Sequence, residues 1–235
     1  VIVYNGIIIG EGYHAKCGET HAEVNAIASV KEQELLKSST IYVSLEPCSH
    51  YGKTPPCANL IVEKGILRVV IGCIDPFSKV AGRGVEVLRK AGCEVKVGVL
   101  EKECRELNRA FFNVQVKRRP FITLKWAQSA DGYMDVIREE GEPVVLSSPH
   151  TQMIAHKRRA EHQAIMVGTR TALLDNPSLS VRAWCGPQPL RVVLDRELRL
   201  PRHLHVFDGT QPTLVVTEKK EVVAGCSTLQ VDFSR

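Results

Sequence analysis

The sequence predicts an α/β protein in two domains, and three observations carry that reading. Short β-branched runs alternate with amphipathic stretches of helical period, a pattern that gives a mostly parallel sheet with helices on its faces. The alternation halts at Arg118-Arg119-Pro120 and then starts again, with no repeat linking the halves. At 235 residues the chain is long enough for two ordinary domains, each with its own core. The division expected is 1–117 and 118–235.

In the first half, Val1 to Val3 and Ile7 to Gly12 flank Asn5-Gly6, a dipeptide that favours a two-residue hairpin turn. A helix is expected from His21 to Leu36 with Thr20 as its cap, because Val24, Ile27, Ala28, Lys31 and Leu35 recur at spacings of three and four. Thr40 to Leu45 is a strand that runs into Glu46-Pro47-Cys48. Pro55-Pro56 fixes the backbone ahead of a helix from Cys57 to Lys64, stopped by Gly65. A strand at Leu67 to Cys73, a helix at Gly82 to Ala91, a strand at Cys93 to Val97 and a helix at Glu101 to Phe111 follow. In such a sheet the ligand sits at the C-terminal ends of the strands.

Beyond the break, Phe121 to Lys125 reads as a strand and Pro149 to Arg159 as a helix capped by Ser147 or Ser148. Ala164 to Val167 is a strand, and Thr169 to Leu174 a short helix ended by Asp175-Asn176-Pro177. Arg191 to Leu194 and Thr213 to Val216 are further strands. Gly168-Thr169-Arg170 stands where a phosphate could meet a helix N-terminus, although an ordinary tight turn has the same composition.

Composition excludes several classes. No apolar run reaches the 18 or more residues of a membrane span, and no signal-peptide pattern is present. A net charge of +5 is mild, and its lysines and arginines are spread rather than gathered in aromatic-interleaved blocks, so nucleic-acid binding is not indicated. The eight cysteines are scattered, which in a chain of this length suits reduced thiols in a cytoplasm. Val1 opens inside a strand-like run, so the sequence is expected to be trimmed at its start.

The densest chemistry lies between His21 and Cys57. His21, Cys48 and Cys57 are three zinc ligands where a structural site would have four, which leaves a position for water. Two thiolates and a neutral imidazole cancel the dication's charge, so water bound there is acidified toward hydroxide. Glu23, two residues past His21, reads as the group that moves a proton from water to a departing amine. His-x-Glu followed by Pro-Cys is the pattern of zinc deaminases, except that eight residues separate the cysteines where nucleic-acid-editing deaminases have two. His21 and Glu23 would lie on opposite sides of a regular helix, so the first turn itself must point into the site.

The strings Gly-Glu-Gly-Tyr-His at 10–14, His-Ala-Glu-Val at 21–24 and Glu-Pro-Cys-Ser-His-Tyr-Gly-Lys-Thr-Pro-Pro-Cys at 46–57 resemble the bifunctional deaminase/reductase family of bacterial riboflavin biosynthesis. In the second half Arg-Pro-Phe at 119–121, Ser129 with Asp131-Gly132, the run from Val167 to Leu179, Arg182 and Val-Leu-Asp at 193–195 continue the match. The resemblance implies a cytidine-deaminase-like three-layer domain followed by a dihydrofolate-reductase-like α/β domain. It implies that His14, His50 and Lys53 hold a phosphoribosylaminopyrimidine substrate in the first domain. In the second it implies substrate contacts from Arg159, Leu179 and Arg182, and NADPH contacts from Ala127, Thr171 and Asp175. Small-molecule substrates, no nucleic-acid or membrane partner, and a homo-oligomer belong to the same expectation. Val144-Val145 stand where many members have Gln-Trp, and the family's reductase domain continues past Arg235, so this domain is expected to be incomplete. A stand-alone nucleoside or tRNA deaminase is the alternative enzyme, opposed by the cysteine spacing. A zinc-stabilised binding module is the non-enzymatic alternative, opposed by the three-ligand count and Glu23.

Overall fold

A computed structural model describes residues 1–16, 18–50, 55–77, 81–138 and 142–234. The chain forms two compact units, Val1–Thr123 and Leu124–Arg235. Lys53 lies outside the described residues.

The first unit runs β1 (Ile2–Tyr4), β2 (Ile7–Gly10), α1 (Ala22–Ser29), a 3-10 helix (Gln33–Ser38), β3 (Thr40–Leu45), α2 (Cys57–Glu63), β4 (Arg68–Cys73), α3 (Arg83–Lys90), β5 (Glu94–Val97), α4 (Glu101–Leu107) and α5 (Arg109–Lys117). Its sheet has the order β2-β1-β3-β4-β5. β1 is antiparallel to both neighbours, while β3, β4 and β5 are parallel. Asn5 and Gly6 both take positive φ, 47° and 78°, which turns the hairpin and sets Tyr4 opposite Ile7. The strand ends at Gly10 rather than Gly12 because the chain there crosses α1: a Cβ on Gly12 would lie 2.4 Å from the Ala26 nitrogen. Ile2, Ile27, Leu36, Ile41, Ile61, Ile71 and Leu88 form the core between sheet and helices.

Two helices expected as continuous are split. The stretch from His21 to Leu36 breaks at Val30, which is extended, and the Gln33 side chain donates to the Ile27 and Val30 carbonyls at 2.9 and 2.7 Å. That amide satisfies carbonyls the helix would otherwise leave open. Thr20 is not the cap; His21 occupies that position, and the Thr20 hydroxyl donates to Asn25 Oδ1 at 2.6 Å. The helix from Glu101 divides at Asn108, whose side chain donates to the Cys104 carbonyl at 2.8 Å.

The second unit contains α6 (Pro149–Ala160), β6 (Ala164–Val167), α7 (Thr169–Asp175), β7 (Leu190–Leu194), a 3-10 helix (His205–Phe207), β8 (Thr213–Thr217) and β9 (Ser227–Gln230). The four strands lie in the order β6-β7-β8-β9, all parallel. Ser148 is the cap of α6, accepting from the Thr151 N–H at 3.2 Å, with Pro149 in the first turn. Arg191 on β7 is wholly buried and donates to Thr213 Oγ1, the His205 and Gln211 carbonyls and Asp208, at 2.7–3.0 Å, so one guanidinium ties β7 to β8 and the loop before it. The segment Phe121 to Lys125 is not a strand; it has no ladder partner among the described residues, and Ile122 and Leu124 are 66% and 77% exposed. β9 carries no sequence signal of its own, being four residues with only one large apolar side chain.

Candidate active site

The zinc-type ligands meet where the first unit's strands end. His21 caps α1 with extended backbone, φ −71° and ψ 163°, so its ring is freed from the helical direction while Glu23 enters the first turn. This resolves the two-residue spacing that a regular helix would have set on opposite sides. Cys48 follows β3 through Glu46-Pro47, and Cys57 is the first residue of α2 with Pro56 as its cap. The Cys57 N–H donates to the Cys48 sulfur at 3.2 Å and the Ala58 N–H to the Cys48 carbonyl at 3.1 Å. A thiolate at that helix start meets the positive end of the backbone dipoles.

The donor set fits a tetrahedral zinc. The His21 Nδ1 lies 3.5 Å from the Cys48 sulfur and 3.3 Å from the Cys57 sulfur, and the three ligand atoms fall within 4.8 Å of one another. Zinc bonds of ordinary length at tetrahedral angles would space nitrogen and sulfur about 3.6 Å apart. Without a metal the thiols share one charge. A hydrogen bond from Cys57 brings the Cys48 thiol down to about 5, and that same bond, with burial, pushes Cys57 far up. A dication stabilises both thiolates and removes the cause of the split.

Glu23 is 9% exposed, and burial pushes its carboxyl above the usual carboxylate range. It stands beside the Cys57 thiol. A carboxyl so placed can accept a proton and return it, which one held fully ionised by cations does poorly. Around this centre the exposed His14 has its ring 5.2 Å from that of His21, and the exposed His50 meets the edge of Phe77 at 6.5 Å. Asp75, just past β4, is buried within electrostatic reach of Glu46, His50 and Cys48 and accepts from the Phe77 N–H at 2.7 Å. Sequence reasoning passed over Asp75, although its place after a parallel strand is where such sheets gather functional groups.

In the second unit the three residues expected to meet substrate lie on α6 and the 178–182 loop. Arg159 donates to the Ser180 carbonyl, its Nε is buried without a partner among the described residues, and burial followed by the neighbouring Arg182 lowers its pKa. Arg182 donates to Ser178 Oγ at 3.2 Å, and its N–H is held by His156 Nδ1 at 3.2 Å. Leu179 buries its side chain in the core with φ 55°, so only its backbone can face a ligand. Thr171 is exposed on α7, and Asp175 ends that helix in an ion pair with Arg138. Ala127 is half-buried in an irregular segment. Thr169 spends its hydroxyl on the Leu194 carbonyl, which favours the tight turn over a phosphate cradle there.

Fold and site together define a zinc-deaminase-type domain followed by a second α/β domain. Residues 1–73 match the cytidine and deoxycytidylate deaminase zinc-binding region, and residues 120–235 match the RibD C-terminal domain. Riboflavin biosynthesis protein RibD of Aquifex aeolicus is 45% identical over 94% of this chain and 61% of its own length, and that of Bacillus amyloliquefaciens 44% over 92% and 58%. A solved diaminohydroxyphosphoribosylaminopyrimidine deaminase/5-amino-6-(5-phosphoribosylamino)uracil reductase from Thermotoga maritima is 39% identical, with a TM-score of 0.91 over 100% of this chain and 67% of its own. RibD of Acinetobacter baumannii superposes with a TM-score of 0.87 at 35% identity, over 99% of this chain and 66% of its own. The chain belongs to the RibD family. It spans about three-fifths of the length of the curated relatives it matches.

Proposed function

We propose that the first unit deaminates 2,5-diamino-6-(5-phosphoribosylamino)pyrimidin-4-one to 5-amino-6-(5-phosphoribosylamino)uracil, and that the second unit serves the NADPH-dependent reduction of the ribosyl group to ribityl. The observation that carries the reading is the His21-Cys48-Cys57 donor set with the buried Glu23 beside it, in a chain alike over nearly its whole length to RibD proteins. Zinc in a three-ligand site supplies Lewis acidity that makes water nucleophilic near neutral pH. Glu23 takes the proton released as the nucleophile forms and delivers it to the amine, so that ammonia leaves. His14, His50 and Lys53 orient the ring and its phosphate. In the second unit Arg159 and Arg182 bring two guanidiniums to one loop, with the backbone of Leu179 between them, which suits the same phosphorylated ligand. Ala127, Thr171 and Asp175 face NADPH, whose hydride reduces the sugar carbon. Small-molecule substrates, a cytoplasmic setting and self-association complete the reading; no described helix is long and apolar enough to cross a membrane. Metal analysis of the chain, with a titration of NADPH onto a form extended past Arg235, tests both halves. One zinc per chain lost in Cys48→Ser, together with saturable NADPH binding weakened in Thr171→Ala, supports them. A metal-free active chain overturns the first half, and no NADPH binding overturns the second.

A further inference from the structure

Glu46 is 3% exposed, yet no lysine or arginine is paired with it among the described residues. Its carboxylate is satisfied by backbone alone. Oε2 accepts from the Asp75 N–H at 3.2 Å and the Gly82 N–H at 2.9 Å, and Oε1 accepts from the Val85 N–H at 3.2 Å. Those donors belong to three places: the turn after β4, the cap of α3, and the first turn of α3. Gly82 has no side chain to cap that helix, so a carboxylate from the end of another strand does it, at the end where the dipoles favour a negative charge. The Glu46 N–H in turn donates to the Cys73 carbonyl at 2.9 Å. Gly84 lets the helix come this close, since a Cβ there would lie 2.1 Å from the Pro47 carbonyl. One peptide and one proline further on stands the ligand Cys48.

We infer that Glu46 is the positioning residue of the metal site: its backbone-held carboxylate sets Cys48 and the Asp75–Phe77 turn in a single register. Upstream, Pro47 removes one rotational freedom between the anchored Glu46 and Cys48, so displacing the carboxylate displaces the sulfur. Downstream, the Asp75 N–H held by Glu46 starts the turn whose Phe77 ring backs His50, so the same carboxylate aligns a wall of the ligand pocket. A hydrophobic residue at position 46 could fill the volume but would leave three backbone N–H groups without acceptors, those of Asp75 and Val85 buried. A glutamine would set an amide NH₂ against donors that need an acceptor.

The inference rests on the zinc reading, and its test separates the two. Wild-type, Glu46→Gln and Glu46→Asp chains, with Leu88→Ala as a comparison that loosens α3 from the core, are loaded with Co²⁺. Cobalt affinity, the thiolate-to-cobalt absorption band, and kcat and KM for ammonia release are then read. Loss of a group that orients a ligand typically lowers metal affinity or activity about 10–100-fold. Glu46→Gln is expected in that range, with a shifted cobalt–thiolate band and a fall in kcat as well as a rise in KM. Glu46→Asp, which keeps the charge, should fall between it and wild type. Leu88→Ala should melt earlier with the wild-type band intact. If Glu46→Gln does not fold, Glu46→Asp carries the comparison. Wild-type affinity and an unshifted band in a Glu46 variant, or the same band shift in Leu88→Ala, overturn the positioning role while leaving the zinc site standing. A wild-type chain without a cobalt–thiolate band overturns the zinc reading and this inference with it.

Discussion

At the scale of single residues, stability and function pull against each other at Glu23. Burial raises its pKa in the fold, so its contribution to stability is full below the unfolded carboxylate value and lost as pH rises through the higher folded one. At pH 8, in the metal-free chain, Glu23→Gln is therefore expected to melt higher than wild type, and with zinc restored to deaminate about 10²–10⁴-fold slower. Calorimetry under chelation and ammonia release measure the two effects, and a metal-free Glu23→Gln chain that melts lower would contradict the buried-charge argument. His156 gives a second signature. It is 6% exposed, burial and then Arg159 lower its pKa, and neutral Nδ1 accepts from the Arg182 N–H. A depressed folded pKa makes its contribution fully present above the unfolded value, about 6.5, and lost as pH falls toward the folded one. The second unit should lose stability as pH falls below about 6.5, and His156→Gln should flatten that loss in melts taken across the range. Legibility at this scale was uneven. That His21, Cys48 and Cys57 come together with Glu23 beside them was readable because metal chemistry restricts residue type and spacing together, whereas the places of Asp75 and His156 are set by the fold, which no local pattern records.

At the scale of elements, strands and turns with their own signals were legible and those that depend on a partner were not. Asn5-Gly6 announced the hairpin because positive φ at two successive positions restricts the residues available. The break of the first helix at Val30 was invisible, because apolar spacing continues across it and only the Gln33 side chain, folded back on two carbonyls, reveals the stop. Phe121 to Lys125 had strand composition without a ladder partner among the described residues, while β9 had a ladder without the composition. Arg191 shows the same dependence inside a strand, since a charged residue in β7 reads as exposed and is instead the hub of β7, β8 and the loop between. Arg191→Met keeps the length but leaves the His205 and Gln211 carbonyls without their donor. It should cost about 3 kcal/mol, near the lower end for a broken buried pair because Asp208 retains access to water. Urea unfolding followed by tryptophan fluorescence measures this, both tryptophans, Trp126 and Trp184, being in the second unit. A loss below about 1 kcal/mol, the worth of one ordinary hydrogen bond, would remove Arg191 from that role.

At the scale of the whole molecule, two separate cores lie in two units, and the candidate metal site found among the described residues lies in the first. Zinc binds the folded first unit and stabilises it by mass action, so chelation should lower the melting of that unit, followed by backbone circular dichroism. The tryptophan-detected melting of the second unit should stay where it was. The claim on which the account turns is that His21, Cys48, Cys57 and Glu23 constitute a hydrolytic deaminase centre. Its most direct test is ammonia release from 2,5-diamino-6-(5-phosphoribosylamino)pyrimidin-4-one by the zinc-loaded chain, beside a Glu23→Gln chain shown by metal analysis to be equally loaded. One ammonia per substrate from the first, and at least about a hundredfold slower release from the second, is the predicted result. No ammonia from the zinc-loaded chain, or equal rates from the two, would contradict it.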